Sequence, residues 1–476
     1  MTENLLHVTA RRQRWARASV ALLGTYLVGC GENINPRSAD PAIMAPQASV
    51  QQSVPSASEG ANSDIAPGRK AKSAVIFIGD GMGVSTVTAG RIHAGQKRGV
   101  DGESYTLSWE DFPEVALVKT YNYDAQVPDS AGTATAILSG YRARIGQVNV
   151  PPDAGSLAAG CNSDALPPTL LDLARAESLR VGIVSTARIT HATPAAVFGH
   201  TPDRGWEVPS QVPDALRKAG CTSLGEQLAD ARVDLVMGGG RRLEQVVDFP
   251  FYNPIPDLGA ITLPAMELYT DSHMSFEHDR EEDEPSLAKM TEAAMKALDS
   301  DRGYILVVEA GRIDHAHHAT NAYRALEDLV ALDEAVAVAK RLAGEDTLIV
   351  VTADHGHVFT LQGYPARNNP ILGLVHSFDE ETRERLETHE IADDGRPYTT
   401  LAYANGPTPR DEVDFSKAGT PDFLHPSGFA KESETHSGED VPLYATGAGS
   451  DLFGGVMDQP EVGKAIHAAL GLDPQE

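Results

Sequence analysis

Five short runs, at 73–78, 180–184, 233–237, 304–308 and 347–351, are almost continuously apolar and rich in β-branched side chains. A strand that alternates polar and apolar residues leaves one face in water, whereas a continuous run must be covered on both faces, as in a parallel sheet sandwiched by helices. Between these runs lie helix-like stretches at 168–178, 286–298 and 322–342. The alternation predicts a doubly wound α/β fold with a mostly parallel central sheet and helices on both faces. No short-period repeat interrupts it, which argues against a solenoid or a propeller.

The pattern begins only near residue 71. Ahead of it, Arg11, Arg12, Arg14 and Arg17 precede an apolar run at 18–28 that is too short to span a bilayer and has the order of an export signal. Leu27-Val28-Gly29-Cys30 resembles the lipobox of bacterial lipoprotein precursors, so lipidation at Cys30 and a membrane tether are expected; an ordinary signal peptide and an uncleaved anchor are the alternatives. Arg11-Arg12 also hints at twin-arginine export. Residues 31–70 are rich in Pro, Ser, Ala and Gln and cannot bury a core, which predicts a flexible tether leading into one domain at 71–476. The location expected is the periplasm or cell envelope.

With 39 basic against 67 acidic residues, the formal net charge is −28, which argues against a nucleic acid as specific partner. An anionic substrate would have to be captured by a local charge, and bound metal is the natural one. Export also changes how Cys161 and Cys221 read. As the only thiols besides Cys30 in an oxidising compartment, they favour a disulfide over a metal site.

The strand ends carry the chemistry. Ile78 leads into Gly79-Asp80-Gly81, Val308 into Glu309 and Asp314, and Val351 into Asp354-His355. In open parallel sheets the carboxyl ends of the strands form the ligand crevice, so these acids should converge on one rim. Like charges so close would have to protonate unless cations sit among them. Imidazole with carboxylate suits zinc, and oxygen ligands suit magnesium. Asp314 and His318 are four residues apart and share a face if a helix begins there. Pro128-Asp129-Ser130 stands ahead of a helix-capable run, where free amides favour an anion, which makes Ser130 a nucleophile candidate; the bland alternative is a serine that merely caps the helix.

Six segments together resemble the motifs of the alkaline phosphatase family, in family order: Phe77-Ile78-Gly79-Asp80-Gly81-Met82-Gly83, Pro128 to Thr133, His191 to Ala195, Glu309 to His318, Thr352 to His357, and Glu434 to Asp440. The resemblance implies hydrolysis of small-molecule phosphate monoesters through a covalent phosphoserine at Ser130, with two zinc ions and one magnesium ion per subunit. It implies that Asp314, His318 and His436 hold the first zinc and Asp80, Asp354 and His355 the second. Asp80 would also reach a magnesium held by Thr193 and Glu309. Arg204 would clamp the phosphate in bidentate fashion, oriented by Asp129, and His357 would support the zinc carboxylates.

The motifs Arg312-Ile313-Asp314-His315 and Glu434-Thr435-His436 are similar to the animal-type branch. His191 and His315 then flank the third metal site and bear on substrate, and their imidazoles should make that site less selective for magnesium. Cys161 and Cys221 fall where that branch carries a disulfide. Residues 364–433 resemble its small β-rich crown over a homodimer, although its calcium site is not clearly matched at 269–284. Two alternatives stay open, a sister phosphodiesterase of the same superfamily and a non-catalytic surface binding lipoprotein. A sulfatase lacks its modifiable motif here.

Overall fold

A computed structural model describes residues 70–472 apart from 156, 162–165 and 383. The export signal, Cys30 and the tether up to residue 69 lie outside the described residues.

Among the described residues sixteen strands follow in chain order: β1 Ser73–Gly79, β2 Glu114–Lys119, β3 Arg180–Arg188, β4 Leu235–Gly239, β5 Ala265–Leu268, β6 Tyr304–Ala310, β7 Thr347–Ala353, β8 Gly356–His357, β9 Phe359–Leu361, β10 His376–Phe378, β11 Arg385–His389, β12 Leu401–Gly406, β13 Ser427–Ala430, β14 His436–Ser437, β15 Val441–Thr446 and β16 Gly455–Asp458. Nine of them make the central sheet, in the order β16-β2-β15-β7-β1-β6-β3-β4-β5. From β7 to β5 every pairing is parallel. The five apolar runs form the middle of this sheet, and every residue of β1, β6 and β7 is buried, as continuous apolar patterning requires.

The outer strands deviate from that pattern. β15 runs antiparallel to β7 and β2, and β16 pairs parallel with β2. β2 alternates, burying Ala116 and Val118 while Val115 and Leu117 stay exposed, so its signal is a short period-two pattern rather than a run.

The helices at 286–298 and 322–342 form as Leu287–Leu298, capped by Ser286, and Ala322–Leu342. The stretch expected at 168–178 is shorter, Leu170–Ala176, because Thr169 and Asp172 close a capping box at its start. The run expected at 233–237 enters the sheet only at Leu235, since the Asp234 carboxylate accepts the Val181 amide at 2.8 Å. Helix Val84–Lys97 approaches Ala322–Leu342 closely at Gly90, where a Cβ would stand 2.4 Å from Leu329.

Beyond β7 the chain leaves the sheet for smaller β clusters: a three-stranded sheet β13-β12-β9, a hairpin β10-β11 and the two-residue pair β14-β8. Most of this lies in the segment read as a crown-like insertion. A disulfide joins Cys161 to Cys221 with 5.0 Å between Cα atoms, beside Trp206 and Val212.

Candidate active site

The carboxyl ends of β1, β6 and β7 deliver Asp80, Glu309 and Asp354 to one rim. Asp80 sits in the turn after β1, where Gly81 has φ +75° and passes so near His357 that a Cβ would stand 2.4 Å from its Nε2. Glycine is required there on both counts. The freed Gly81 amide donates to Asp354 Oδ1 at 3.1 Å, tying two strand ends together.

Two clusters of three ligand-type atoms result. In the first, Asp314 and His318 share a face of the helix Arg312–His318, and His436 comes from β14. Asp314 Oδ1 lies 3.3 Å from Nε2 of both His318 and His436, and those two nitrogens are 3.2 Å apart. In the second, Nε2 of His355 lies 3.3 Å from Asp80 Oδ1 and 3.4 Å from Asp354 Oδ2. The rings of His355 and His436 stack at 3.6 Å and join the clusters. Tautomers follow from the other ring nitrogens: Nδ1 of His318 reaches the Glu434 carbonyl at 2.6 Å, Nδ1 of His436 the Pro128 carbonyl at 2.8 Å, and Nδ1 of His355 the Gly356 carbonyl at 3.3 Å. Each imidazole therefore donates from Nδ1 and turns its Nε2 lone pair inward.

Lone pairs and carboxylates facing one another repel unless a cation lies among them. Asp80 makes the point most directly, because it is fully buried and neither carboxylate oxygen has a hydrogen-bond partner among the described residues. Burial first, then Asp354 and the other acids, pushes its carboxyl well above the usual range. Burial likewise raises Glu309, to about 7, although the Ser185 and Thr193 hydroxyls beside it pull it down. Asp314 is the exception. Burial would raise it, but the hydrogen bond from His357 and the His436 and His318 imidazoles beside it hold it well below the ordinary carboxylate value. These residues fit small divalent cations.

A third group, Asp80, His191 and Glu309, has ligand atoms within 4.8 Å of one another. Thr193 is buried beside it in the one-turn helix Ala192–Ala195. His191 itself is engaged elsewhere, since Arg204 Nη2 lies 3.1 Å from its Nε2. His315 stands 4.1 Å, ring to ring, from His273, with its Nδ1 buried and without a partner among the described residues.

Ser130 is the first residue of helix Ser130–Ser139, and its hydroxyl lies 3.2 Å from His355 Nε2. The cap is Asp129 and not the serine, which frees Ser130 for chemistry. Asp129 accepts four bonds: Oδ1 from Asn122 at 2.8 Å and the Gly132 amide at 3.2 Å, Oδ2 from the Gly146 amide at 3.0 Å and Arg204 at 3.2 Å. Arg204 is thus held at the mouth of the site with about a quarter of its side chain exposed. His357 spans Asp314 at 2.9 Å and Glu434 at 2.6 Å.

The residues expected to bind metal or phosphate converge on this rim, whereas Cys161 and Cys221 pack in a cluster of their own. Sequence reasoning left out Asn122, Ser185, His273 and the buried carboxylate of Glu434 as site residues. Only Glu434 had a visible signal, its place inside a quoted motif; the others arrive from loops and strands whose packing no local pattern reports.

Residues 71–247 and 259–472 match the family model described as alkaline phosphatase. The chain is 37% identical over 459 residues to the tissue-nonspecific alkaline phosphatase isozyme of Gallus gallus, covering 85% of each chain. It is 34% identical over 482 residues to alkaline phosphatase 4 of Drosophila melanogaster, covering 85% of this chain and 77% of that one. In fold it is similar to the alkaline phosphatase from the Antarctic bacterium TAB5, with a TM-score of 0.61 at 21% identity over 85% of this chain and 100% of that one.

Proposed function

This chain belongs to the alkaline phosphatase family and is a phosphoric monoester hydrolase; from that premise we propose that it works through a covalent phosphoserine on Ser130, with two zinc ions and one magnesium ion as cofactors. The observation that carries the reading is the 3.2 Å approach of the Ser130 hydroxyl to His355 Nε2, at the edge of one cation-demanding cluster and beside a second.

Asp314, His318 and His436 would hold the first zinc, and Asp80, Asp354 and His355 the second. Ligand atoms around a tetrahedral ion with bonds of about 2.0–2.1 Å lie about 3.3 Å apart. The separations of 3.2 to 3.4 Å within the two clusters support that assignment. The oxygens of Asp80, Thr193 and Glu309 suit magnesium. Bound zinc supplies a lowered pKa for a hydroxyl beside it and offsets charge on the transferring phosphoryl group.

The chain's own residues do the rest. Ser130 attacks phosphorus from the helix N-terminus, where the dipole favours the incoming anion. Arg204, fixed by Asp129 at one nitrogen and facing His191 with another, offers its fork to two phosphate oxygens. A monoester has the free oxygens to use that fork fully. Positioning and charge carry most of such a phosphoryl transfer.

The sequence further supports an exported enzyme tethered through Cys30, with residues 31–70 as spacer and residues 364–433 as a crown over a homodimer. Its charge supports small phosphate esters, not nucleic acid, as partners.

The test combines elemental analysis with turnover of a chromogenic monoester and diester side by side. About two zinc and one magnesium per chain, strong monoester preference and loss of turnover on chelation are expected. Full turnover by metal-free protein, or preference for the diester, would overturn the reading.

A further inference from the structure

Glu434 is 1% exposed, and both of its carboxylate oxygens are committed. Oε2 accepts from His357 Nδ1 at 2.6 Å and Oε1 accepts the Val358 amide at 2.8 Å. Its backbone engages a second histidine twice: the carbonyl takes His318 Nδ1 at 2.6 Å, and the amide donates to the His318 carbonyl at 3.0 Å. His357 passes the connection on through Nε2 to Asp314 Oδ1 at 2.9 Å. Two residues along the chain stands His436, which pairs across β14 and β8 with His357 itself.

We propose that Glu434 is the positioning residue of the first metal cluster, orienting all three of its ligands: His318 through the backbone, Asp314 through His357, and His436 through the strand pair. The inference rests on the metal reading given above. His318, His357 and Glu434 lie close enough to hold an ion of their own. They are not a separate site, because both nitrogens of His357 and both oxygens of Glu434 are already spent. The second cluster has independent supports, with Asp354 held by the Gly81 and His355 amides and the Thr133 hydroxyl.

This separation makes the idea testable. Glutamine in place of Glu434 keeps the shape but has a single acceptor oxygen, so it cannot serve both Val358 N–H and His357 Nδ1–H. His357 then loses its anchor and Asp314 its partner. Loss of such a support lowers metal affinity by roughly 10–100-fold.

Zinc release from the holoenzyme to an excess of chromophoric chelator reads the effect without turnover. In Glu434→Gln, one zinc per chain should leave roughly 10–100-fold faster than in the parent while the other leaves at the parental rate. In the same single variant the low-field proton NMR signal of His357 Nδ1–H should vanish, and adding His357→Ala should speed release little further. Parental release of both ions, or equal acceleration of both, overturns the proposal. Should Glu434→Gln fail to fold, His357→Asn cuts the same connection and must give the same selective loss, or the proposal falls. A parent that holds no zinc overturns instead the metal reading beneath it, so the two failures are distinguishable.

Discussion

The hydroxyl of Ser130 stands 3.2 Å from Nε2 of His355, at the first turn of a helix whose cap is the neighbouring Asp129. A serine that is not needed as cap, placed against the nitrogen that would hold the second zinc, stands where that ion's charge would lower the pKa of its hydroxyl. Ser130→Ala should abolish phosphoenzyme and lower kcat by about 10³-fold or more, the residual turnover coming from binding and charge alone. Acid quench with labelled monoester checks it. Labelled phosphoprotein persisting in the variant would show another nucleophile.

Asp129 and Arg204 make the next prediction. A charge-assisted hydrogen bond is worth about 1.5–3 kcal/mol, so Arg204→Ala should cut monoester kcat/KM by roughly 10–100-fold. A diester, with one fewer free oxygen to pair, should lose less. Asp129→Ala should lose more stability than Arg204→Ala, because it also strands the Gly132 and Gly146 amides and Asn122. Equal losses on monoester and diester would remove the clamp from the mechanism.

How much of this was legible in the chain follows from which signals are local. β1, β6 and β7 are buried on both faces, and their runs could be read directly; the edge strand β16 and its neighbour β2 carry too few buried residues to stand out. Asp80, Glu309 and Asp354 were found because a parallel sheet sends all its strand ends to one rim. His436 and Arg204 came through family resemblance alone, since nothing in their own surroundings separates them from surface residues. Glu434 stood in a quoted motif, yet its work depends on His318, 116 residues away, and on His357, 77 residues away. Such a contact has no periodicity to betray it.

The disulfide should matter to stability rather than to catalysis. It closes a span of 60 residues and fixes a small cluster with Trp206 and Val212, distant in sequence from the strand-end carboxylates. Replacing both Cys161 and Cys221 by serine should cost roughly 2–4 kcal/mol in urea denaturation while leaving kcat near parental. A variant as stable as the parent would show that the bridge constrains little.

An acid-sensitive element lies apart from the strand-end clusters. Burial would raise the Glu327 carboxyl, but hydrogen bonds from His93 at 2.7 Å and Lys97 at 2.5 Å outweigh it and bring it down to about 2 from an ordinary value of 4.5. Above pH 4.5 both folded and unfolded chains are ionised here and the contribution is complete. As the pH falls, the unfolded chain takes up the proton first, so stability drains away until the folded value near 2 is passed. Glu327→Gln should therefore cost about 2 kcal/mol at pH 7. The gap to the parent should close progressively below pH 4.5 in denaturant titrations. A gap constant with pH would assign the loss to packing.

The third group of ligands tests what a histidine contributes beside oxygen donors. Arginine can only donate, so the 3.1 Å contact from Arg204 makes Nε2 of His191 an acceptor and leaves the proton on Nδ1, which is buried without a partner among the described residues. Held that way, His191 presents an N–H and not a lone pair, and suits a water or phosphate oxygen better than an ion. Zinc, which favours imidazole, can recruit His191 only by breaking the bond to Arg204, so excess zinc should inhibit slowly and added magnesium should reverse it slowly. An aspartate in its place offers oxygen directly. His191→Asp should bind magnesium roughly tenfold more tightly, because hard oxygen ligands suit that ion. It should also resist excess zinc, and should lose some monoester kcat/KM as Arg204 gives up its imidazole partner. Magnesium titration followed by elemental analysis, run with and without excess zinc on both proteins, decides the matter: the same magnesium affinity and the same zinc inhibition in parent and variant would show that His191 has no part in choosing the ion.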